Sequence, residues 1–326
     1  MISNCVHQGV ILAAGRGTRL QPFSETRPKP LHPVCNKPIM QYQIEAMYAA
    51  GIHDICIVVG PSGELIRKHF GDGRRFGPRI SYIEDQAPAG IAASLALAEP
   101  WVDGPFAVFL GDIFLSLGDM APALGPMDEG AAGTIVVRRD TPAAVRRNFA
   151  VVTERGGRVS RVIEKPAEPP TDLKGCGVYV FDRTIFDAIR RTPRSALRNE
   201  YEITDAVQIL IDMGRPVYAA DIVRWDVNIT FPADLLECNL RVLREQQLES
   251  LVGEGARIGV QTRLAGSIIG ERAVVDAPVM LEQCLVLPGA HVAELRENAH
   301  RCIFGNGLHW VDESSDHAGF RQREVG

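Results

Sequence analysis

No two cysteines in this chain are spaced as C-x-x-C, and the seven present, at positions 5, 35, 56, 176, 238, 284 and 302, are scattered. An odd, dispersed set argues against a disulfide framework or a structural zinc site and reads as reduced, buried thiols in a cytoplasm. The eight histidines are dispersed too, so the sequence shows no metal cluster. No apolar run approaches the ~20 residues that span a bilayer. The opening MISNCVHQG has neither the charged nor the apolar region of a signal peptide. Positive charge is not in excess either: the formal net charge is -5, which excludes a broad electrostatic footprint for nucleic acid or an anionic membrane. What is present is an ordinary soluble composition, 46% hydrophobic and 23% charged, over 326 residues. That length suits one large domain and a small one.

Residues 10–38, VILAAGRGTRLQPFSETRPKPLHPVCNKP, carry the strongest signal. Val10-Ile11-Leu12 reads as a buried strand, and Gly15-Arg16-Gly17-Thr18-Arg19 follows at once as a glycine-rich loop. Glycines there let backbone N–H groups converge on an anion with no Cβ in the way. Arg19 and Lys29 add positive charge nearby. Pro22, Pro28, Pro30 and Pro33 forbid a long helix directly after the loop. A dinucleotide fingerprint is therefore excluded, because its last glycine opens a helix. No Gly-Lys-Ser/Thr closes the loop, so it is not a Walker A motif. What remains is a triphosphate cradle with an arginine and a lysine placed for phosphoryl charge.

Strand-like runs alternate with helix-like segments through the first two-thirds: Ile55-Val59, Ile80-Ile83, Phe106-Leu110 and Thr134-Val137. Ile39, Gln43, Ala46, Met47 and Ala50 recur at helical spacing, and Gly51 stops that helix. The alternation predicts an α/β domain with a Rossmann-like, mainly parallel sheet, whose ligands sit at the carboxyl ends of the strands. The glycine loop after Leu12 and Gly111-Asp112 after Leu110 both fall at such ends, so both are expected to face one cleft. A helix is predicted from Pro232 to about Ser250. After it the period changes: Ile269, Val275, Leu281 and Leu287 recur every six residues, with Ile258 and Leu264 on the same step one residue out of phase. This predicts a short left-handed β-helix of two to three coils. The expected domains are residues 1–250, the coil at 251–305, and a polar tail at 306–326.

Leu12-Ala13-Ala14-Gly15-x-Gly17-Thr18-Arg19-Leu20-x-Pro22, with Lys29-Pro30 downstream, resembles the signature of sugar-1-phosphate nucleotidyltransferases, with glucose-1-phosphate thymidylyltransferase as the nearest type. The resemblance runs to residues near 240. It implies that Leu12 to Gly15, Gly17, Thr18 and Arg19 bind the nucleotide, with Arg19 and Lys29 on phosphoryl charge. In Phe109-Leu110-Gly111-Asp112 it assigns Asp112 to Mg²⁺, which keeps only one or two protein carboxylates beside waters and phosphates. A second ligand is expected from Trp225-Asp226-Val227-Asn228. Asn228 has the family spacing and Asp226 the better charge, and on an extended strand both point to one face. In Val162-Ile163-Glu164-Lys165-Pro166 the resemblance assigns Glu164 to sugar hydroxyls and Lys165 to the sugar phosphate. Gly177 offers a small residue where a sugar ring approaches, or else marks a bulged strand. Arg198, in Arg198-Asn199-Glu200-Tyr201, becomes a second phosphate contact, while Thr204 and Asp205 begin a helix over Ala206-Met213. Gln86 is the candidate reader of a uracil or thymine imide edge, with Gly90 letting the base pack on backbone. The family's base-reading glutamine usually sits five residues before that glycine, where this chain has Asp85.

The implied reaction joins a nucleoside triphosphate, dTTP or UTP favoured, to a sugar 1-phosphate with release of pyrophosphate. It needs no covalent intermediate and no general base, because the sugar phosphate is already ionised. Alternatives are a mannose-1-phosphate guanylyltransferase-type activity and a regulatory homologue that binds nucleotide sugars without turnover. An acyltransferase site on the coil would need more coils and a histidine, with His291 and His300 the only nearby candidates. The expected partners are the two small substrates and further copies of the chain, joined through the flat surface of the coil stack.

Overall fold

Gln8–Ala13 (QGVILA) is flanked in parallel by Asp54–Val59 and Phe106–Leu110, so that Leu12 lies opposite both Val58 and Leu110. Arg79–Glu84 extends the parallel block beyond Asp54–Val59. Both faces of these strands are covered, which is why DICIVV and FAVFL read as nearly unbroken apolar runs. The computed structural model describes residues 6–312 apart from Arg16, Thr18, Arg19, Ser62, Leu197, Glu294, Arg296 and Asn306. The described residues pack as two units. One is built from those up to position 16 with 40–226, the other from 17–39 with 227 onward.

In the first unit the parallel block meets an antiparallel half. Leu173–Phe181 pairs antiparallel with Phe106–Leu110 and with Gly133–Arg139. Val217–Asp221 then joins Gly133–Arg139 in parallel, and Phe149–Thr153 and Val159–Glu164 pair antiparallel to each other. The parallel expectation thus describes the first half of the sheet, whereas the Thr134-Val137 run lies between one antiparallel neighbour, Leu173–Phe181, and one parallel neighbour, Val217–Asp221. Helices such as Ile91–Ala96 and Ile185–Arg191 cover this sheet, with Phe106 and Phe186 stacked at 5.6 Å in a core that includes Val10, Val58, Val108 and Phe181. Ile113–Leu117 and Val223–Asn228 form a separate two-stranded ribbon, held by Trp225 stacked on Phe114 at 4.9 Å.

The second unit contains a three-sided parallel β-helix. Leu251–Val252, Ile268–Ile269, Leu285–Val286 and Cys302–Gly305 stack on one side. Arg257–Ile258, Val274–Val275 and His291–Val292 make the second, and Arg263–Ala265, Met280–Glu282 and Ala299–His300 the third. Ile269, Val275, Leu281 and Leu287 are all buried, as the six-residue step predicts. The chain turns between sides through left-handed residues stacked in register, Gly255, Arg272 and Gly289 at one corner and Gly266, Gln283 and Arg301 at another. Leu308–Val311 folds back antiparallel on Cys302–Gly305, so the described start of the tail caps the stack.

The predicted helix after Pro232 spans Pro232–Glu245 and belongs with the coil, as do residues 17–39. Proline spacing keeps that segment to a four-residue helix, Phe23–Thr26, a short helical turn, Lys29–Leu31, and the hairpin Pro33–Val34 with Lys37–Pro38. Cys35 and Asn36 take positive φ at its two-residue turn. Asn239, fully buried on the helix, accepts from Cys35 N at 2.8 Å and donates to Pro33 O at 3.0 Å. Asn36 Nδ2 donates to Ile269 O of the coil at 3.0 Å.

Candidate active site

Parallel pairing brings four chain reversals to one edge of the first unit's sheet. Gly111 N donates to Leu12 O at 2.9 Å and Asp85 N to Val59 O at 2.8 Å. A Cβ on Gly60 would lie 2.4 Å from Ala14 O, so only glycine allows that approach. Leu12, Ala13, Ala14 and Gly15 therefore leave their strand beside Gly60, the Asp85–Gly90 turn and Gly111-Asp112. This is the carboxyl edge at which α/β sheets bind ligands. Gly90 takes φ +118, and a Cβ there would lie 2.5 Å from Tyr201 O. Tyr201 pins the turn by donating to Ala89 O and accepting from Ala92 N. Gln86 is exposed on it. Asp85 is buried and accepts from Ser94 Oγ at 2.6 Å and Ala87 N at 3.2 Å.

Thr18 and Arg19 lie outside the described residues. Gly17 takes φ +62, and a Cβ there would meet Lys29 Cγ at 2.9 Å, so the buried lysine stem runs across the glycine within the second unit.

Glu164 ends the strand Val159–Glu164, and Lys165 turns away in a left-handed conformation, φ +43, with its N–H donated to Asn148 O at 2.8 Å. Glu164 accepts from Thr204 Oγ1 at 3.3 Å and from Arg198 at 3.5 Å, and Arg198 also faces Glu202 at 3.7 Å. The structure thus gathers Glu164, Lys165's backbone and Arg198 on neighbouring elements. The buried Thr204 joins them from the first turn of the helix Ile203–Asp212, where sequence offered only a helix start. Burial, then the Glu202 carboxylate, pushes Glu164 up to about 7 against the pull of Arg198 and Thr204. A carboxyl whose pKa rises on folding contributes stability below its unfolded value, near 4.5, and loses it as pH rises through about 7. Denaturant unfolding between pH 5 and 8 should therefore show wild-type stability falling relative to Glu164→Gln. Parallel profiles for the two chains would contradict that coupling.

Gly177 sits in a bulge of Leu173–Phe181, where the register to Gly133–Arg139 shifts between Gly175 and Tyr179. Its φ is +71, and a Cβ would lie 2.5 Å from Ile113 Cδ1, so the space beside it is filled by protein. This favours the bulged-strand alternative.

Among the described residues, no group of three or more His, Cys, Asp or Glu side chains is assembled for a metal ion. Asp112, partly exposed at the sheet edge after Gly111, fits the one-carboxylate habit of Mg²⁺. Asp226 does not: both its oxygens accept from Lys174 Nζ, at 2.7 and 2.8 Å. Asn228 is exposed in the second unit, its Oδ1 accepting from Thr230 at 3.4 Å.

The model of the nucleotidyl transferase family matches residues 8–240. The chain belongs to the nucleotidyl transferase family. This nucleotidyltransferase is 34% identical to a glucose-1-phosphate thymidylyltransferase of Streptomyces griseus over 89% of both chains. It is 36% identical to a UTP–glucose-1-phosphate uridylyltransferase of Haloferax volcanii over 73% of this chain and 97% of that one. A solved UDP-glucose pyrophosphorylase in complex with UDP-glucose shares the fold, with a TM-score of 0.65 at 21% identity, covering 74% of this chain and 99% of that chain. Among the described residues no helix is long and apolar enough to cross a membrane.

Proposed function

We propose that this nucleotidyltransferase moves the nucleotidyl group of dTTP or UTP to a sugar 1-phosphate of the glucose type, releasing pyrophosphate. The observation that carries this reading is the single sheet edge shared by the Leu12–Gly15 turn, the Gly90 turn and Gly111-Asp112, in a chain similar over most of its length to a thymidylyl- and a uridylyltransferase. A phosphate oxygen of the sugar 1-phosphate attacks the α-phosphorus in line, and the bond to pyrophosphate breaks as the new P–O bond forms. Mg²⁺ bound at Asp112 would neutralise triphosphate oxygens. Arg19 and Lys29 hold phosphoryl charge. Glu164 accepts from sugar hydroxyls, and Lys165 with Arg198 holds the sugar phosphate. Gln86 meets the imide edge of the base with one donor and one acceptor.

The decisive experiment crosses each nucleoside triphosphate with glucose-, mannose- and N-acetylglucosamine-1-phosphate and measures pyrophosphate. Turnover with no pair would sink the enzymatic reading and leave a binding homologue. The guanylyltransferase-type alternative gains nothing from Asp85, which is buried with its two oxygens accepting from Ser94 Oγ and Ala87 N. Preference for GTP in the same panel would establish it. Lys165→Ala should raise the sugar-phosphate KM and Arg19→Ala the triphosphate KM. Each loss corresponds to about 1.5–3 kcal/mol for a charged hydrogen bond. Equal effects of both variants on both substrates would contradict this division.

A further inference from the structure

Arg138, Asp140, Lys174 and Asp226 form a closed group of four charges within the first unit. Lys174 Nζ lies 2.7 Å from Asp226 Oδ1 and 3.2 Å from Asp140 Oδ2. Arg138 reaches Asp140 at 2.8 Å and Asp226 at 3.6 Å. The side chains of Lys174 and Asp226 are only 5% and 6% exposed, so water contributes little to their solvation. Three strands supply the group: Gly133–Arg139, whose end carries Arg138 with Asp140 just beyond it, Leu173–Phe181, and Val223–Asn228. Arg138 and Lys174 are direct cross-strand partners, which fixes both cations on one ladder.

We infer that Asp226 is the counter-ion of Lys174 and Arg138 and not a metal ligand, so that Lys174 is a protein-borne cation standing where a divalent ion would otherwise meet that carboxylate. Two carboxylates balance one ammonium and one guanidinium, and the group is neutral. A divalent ion at Asp226 would leave two excess positive charges in a buried site and break a pair already made. Removing one partner of such a pair is strongly unfavourable in low dielectric. Asp140 responds as expected of a member: against desolvation, which acts to raise it, the Thr141 N–H and the Lys174 ammonium hold its carboxyl below the usual range. On the reading of Asp112 given above, the first unit then offers the ion a single carboxylate.

The test is Mn²⁺ binding, measured by loss of the free-ion electron paramagnetic resonance signal, on wild type, Asp226→Asn and Asp112→Asn, with thermal unfolding alongside. Asp226→Asn should keep the Mn²⁺ dissociation constant within about twofold of wild type while its unfolding midpoint falls by several degrees. A tenfold or greater weakening in Asp226→Asn overturns the inference. If that variant does not fold, Lys174→Met/Asp226→Asn removes both charges of the pair and is read by the same criterion. Where all variants fold, including the single Lys174→Met, the loss of unfolding midpoint in the double variant should fall short of the sum of the Lys174→Met and Asp226→Asn losses. Strict additivity would mean that the pair is not made in solution. Unchanged Mn²⁺ affinity in Asp112→Asn sinks the metal role of Asp112 and leaves the assignment of Asp226 standing.

Discussion

Asp112→Asn is expected to lower pyrophosphate release at saturating substrates roughly a hundredfold or more, the scale on which loss of one preorganised charge-stabilising contact acts. The expectation starts from the strand Phe106–Leu110, whose apolar run ends at Gly111. A Cβ on Gly111 would lie 3.0 Å from Leu12 O, so the glycine holds the two strand ends together and sets Asp112 beside the Leu12–Gly15 turn. A carboxylate there meets phosphoryl charge only through a cation, and the isosteric amide keeps the shape while removing the charge. The circular dichroism spectrum should match wild type, because Asp112 sits at the sheet edge and not in the core. Turnover within a few-fold of wild type in Mg²⁺ would remove Asp112 from the reaction.

Much of this site was legible because its signals are local. The Phe106–Leu110 strand was read with its observed bounds, and the Ile55-Val59 and Ile80-Ile83 runs lie inside Asp54–Val59 and Arg79–Glu84. Apolar runs bounded by glycine or charge suffice for strands buried on both faces. The six-residue step of Ile269, Val275, Leu281 and Leu287 was equally local, since each position repeats the same corner-to-corner geometry.

Contacts between distant positions were not legible. Lys174 and Asp226 are 52 residues apart, and nothing in LKGCG or RWDVN names the other. Asp226 was therefore a candidate ligand on its charge and strand face, and its bond to Lys174 is what supports reading it as a counter-ion. Gly177 already suggested a bulged strand as one of two readings, but the antiparallel partners of the strand that carries Lys174 were not legible from it. The same limit applies to Thr204: a helix-start threonine is a common local pattern, and its bond to Glu164 spans 40 residues.

Ending the chain after Ser250 is expected to abolish a soluble, active enzyme. From sequence alone, a boundary near 250 leads to the opposite expectation, a folded catalytic domain that keeps its activity. The packing of the second unit reverses it. Residues 17–39, which carry Lys29, are tied to coil residues that the truncation removes. Asn36 loses Ile269 O, its partner at 3.0 Å. Phe23 loses Gly305, against which its ring packs closely enough that a Cβ would lie 3.1 Å away. Arg27 loses the Glu271 carboxylate, and Glu237 on the Pro232–Glu245 helix loses Arg301 at 3.3 Å. Baring the buried Phe23 ring costs about 1.5–3 kcal/mol, and the lost hydrogen bond and ion pairs add to that against the ~5–15 kcal/mol that holds a domain folded. Whatever remains folded would keep the Asn239 bonds to Cys35 and Pro33 but lose the coil contacts of this segment, and a loosely held lysine loses the advantage of fixed charge. Thermal unfolding and pyrophosphate release on the purified 1–250 chain decide the matter. A cooperative transition with wild-type turnover would mean that the coil contributes nothing to the loop it touches.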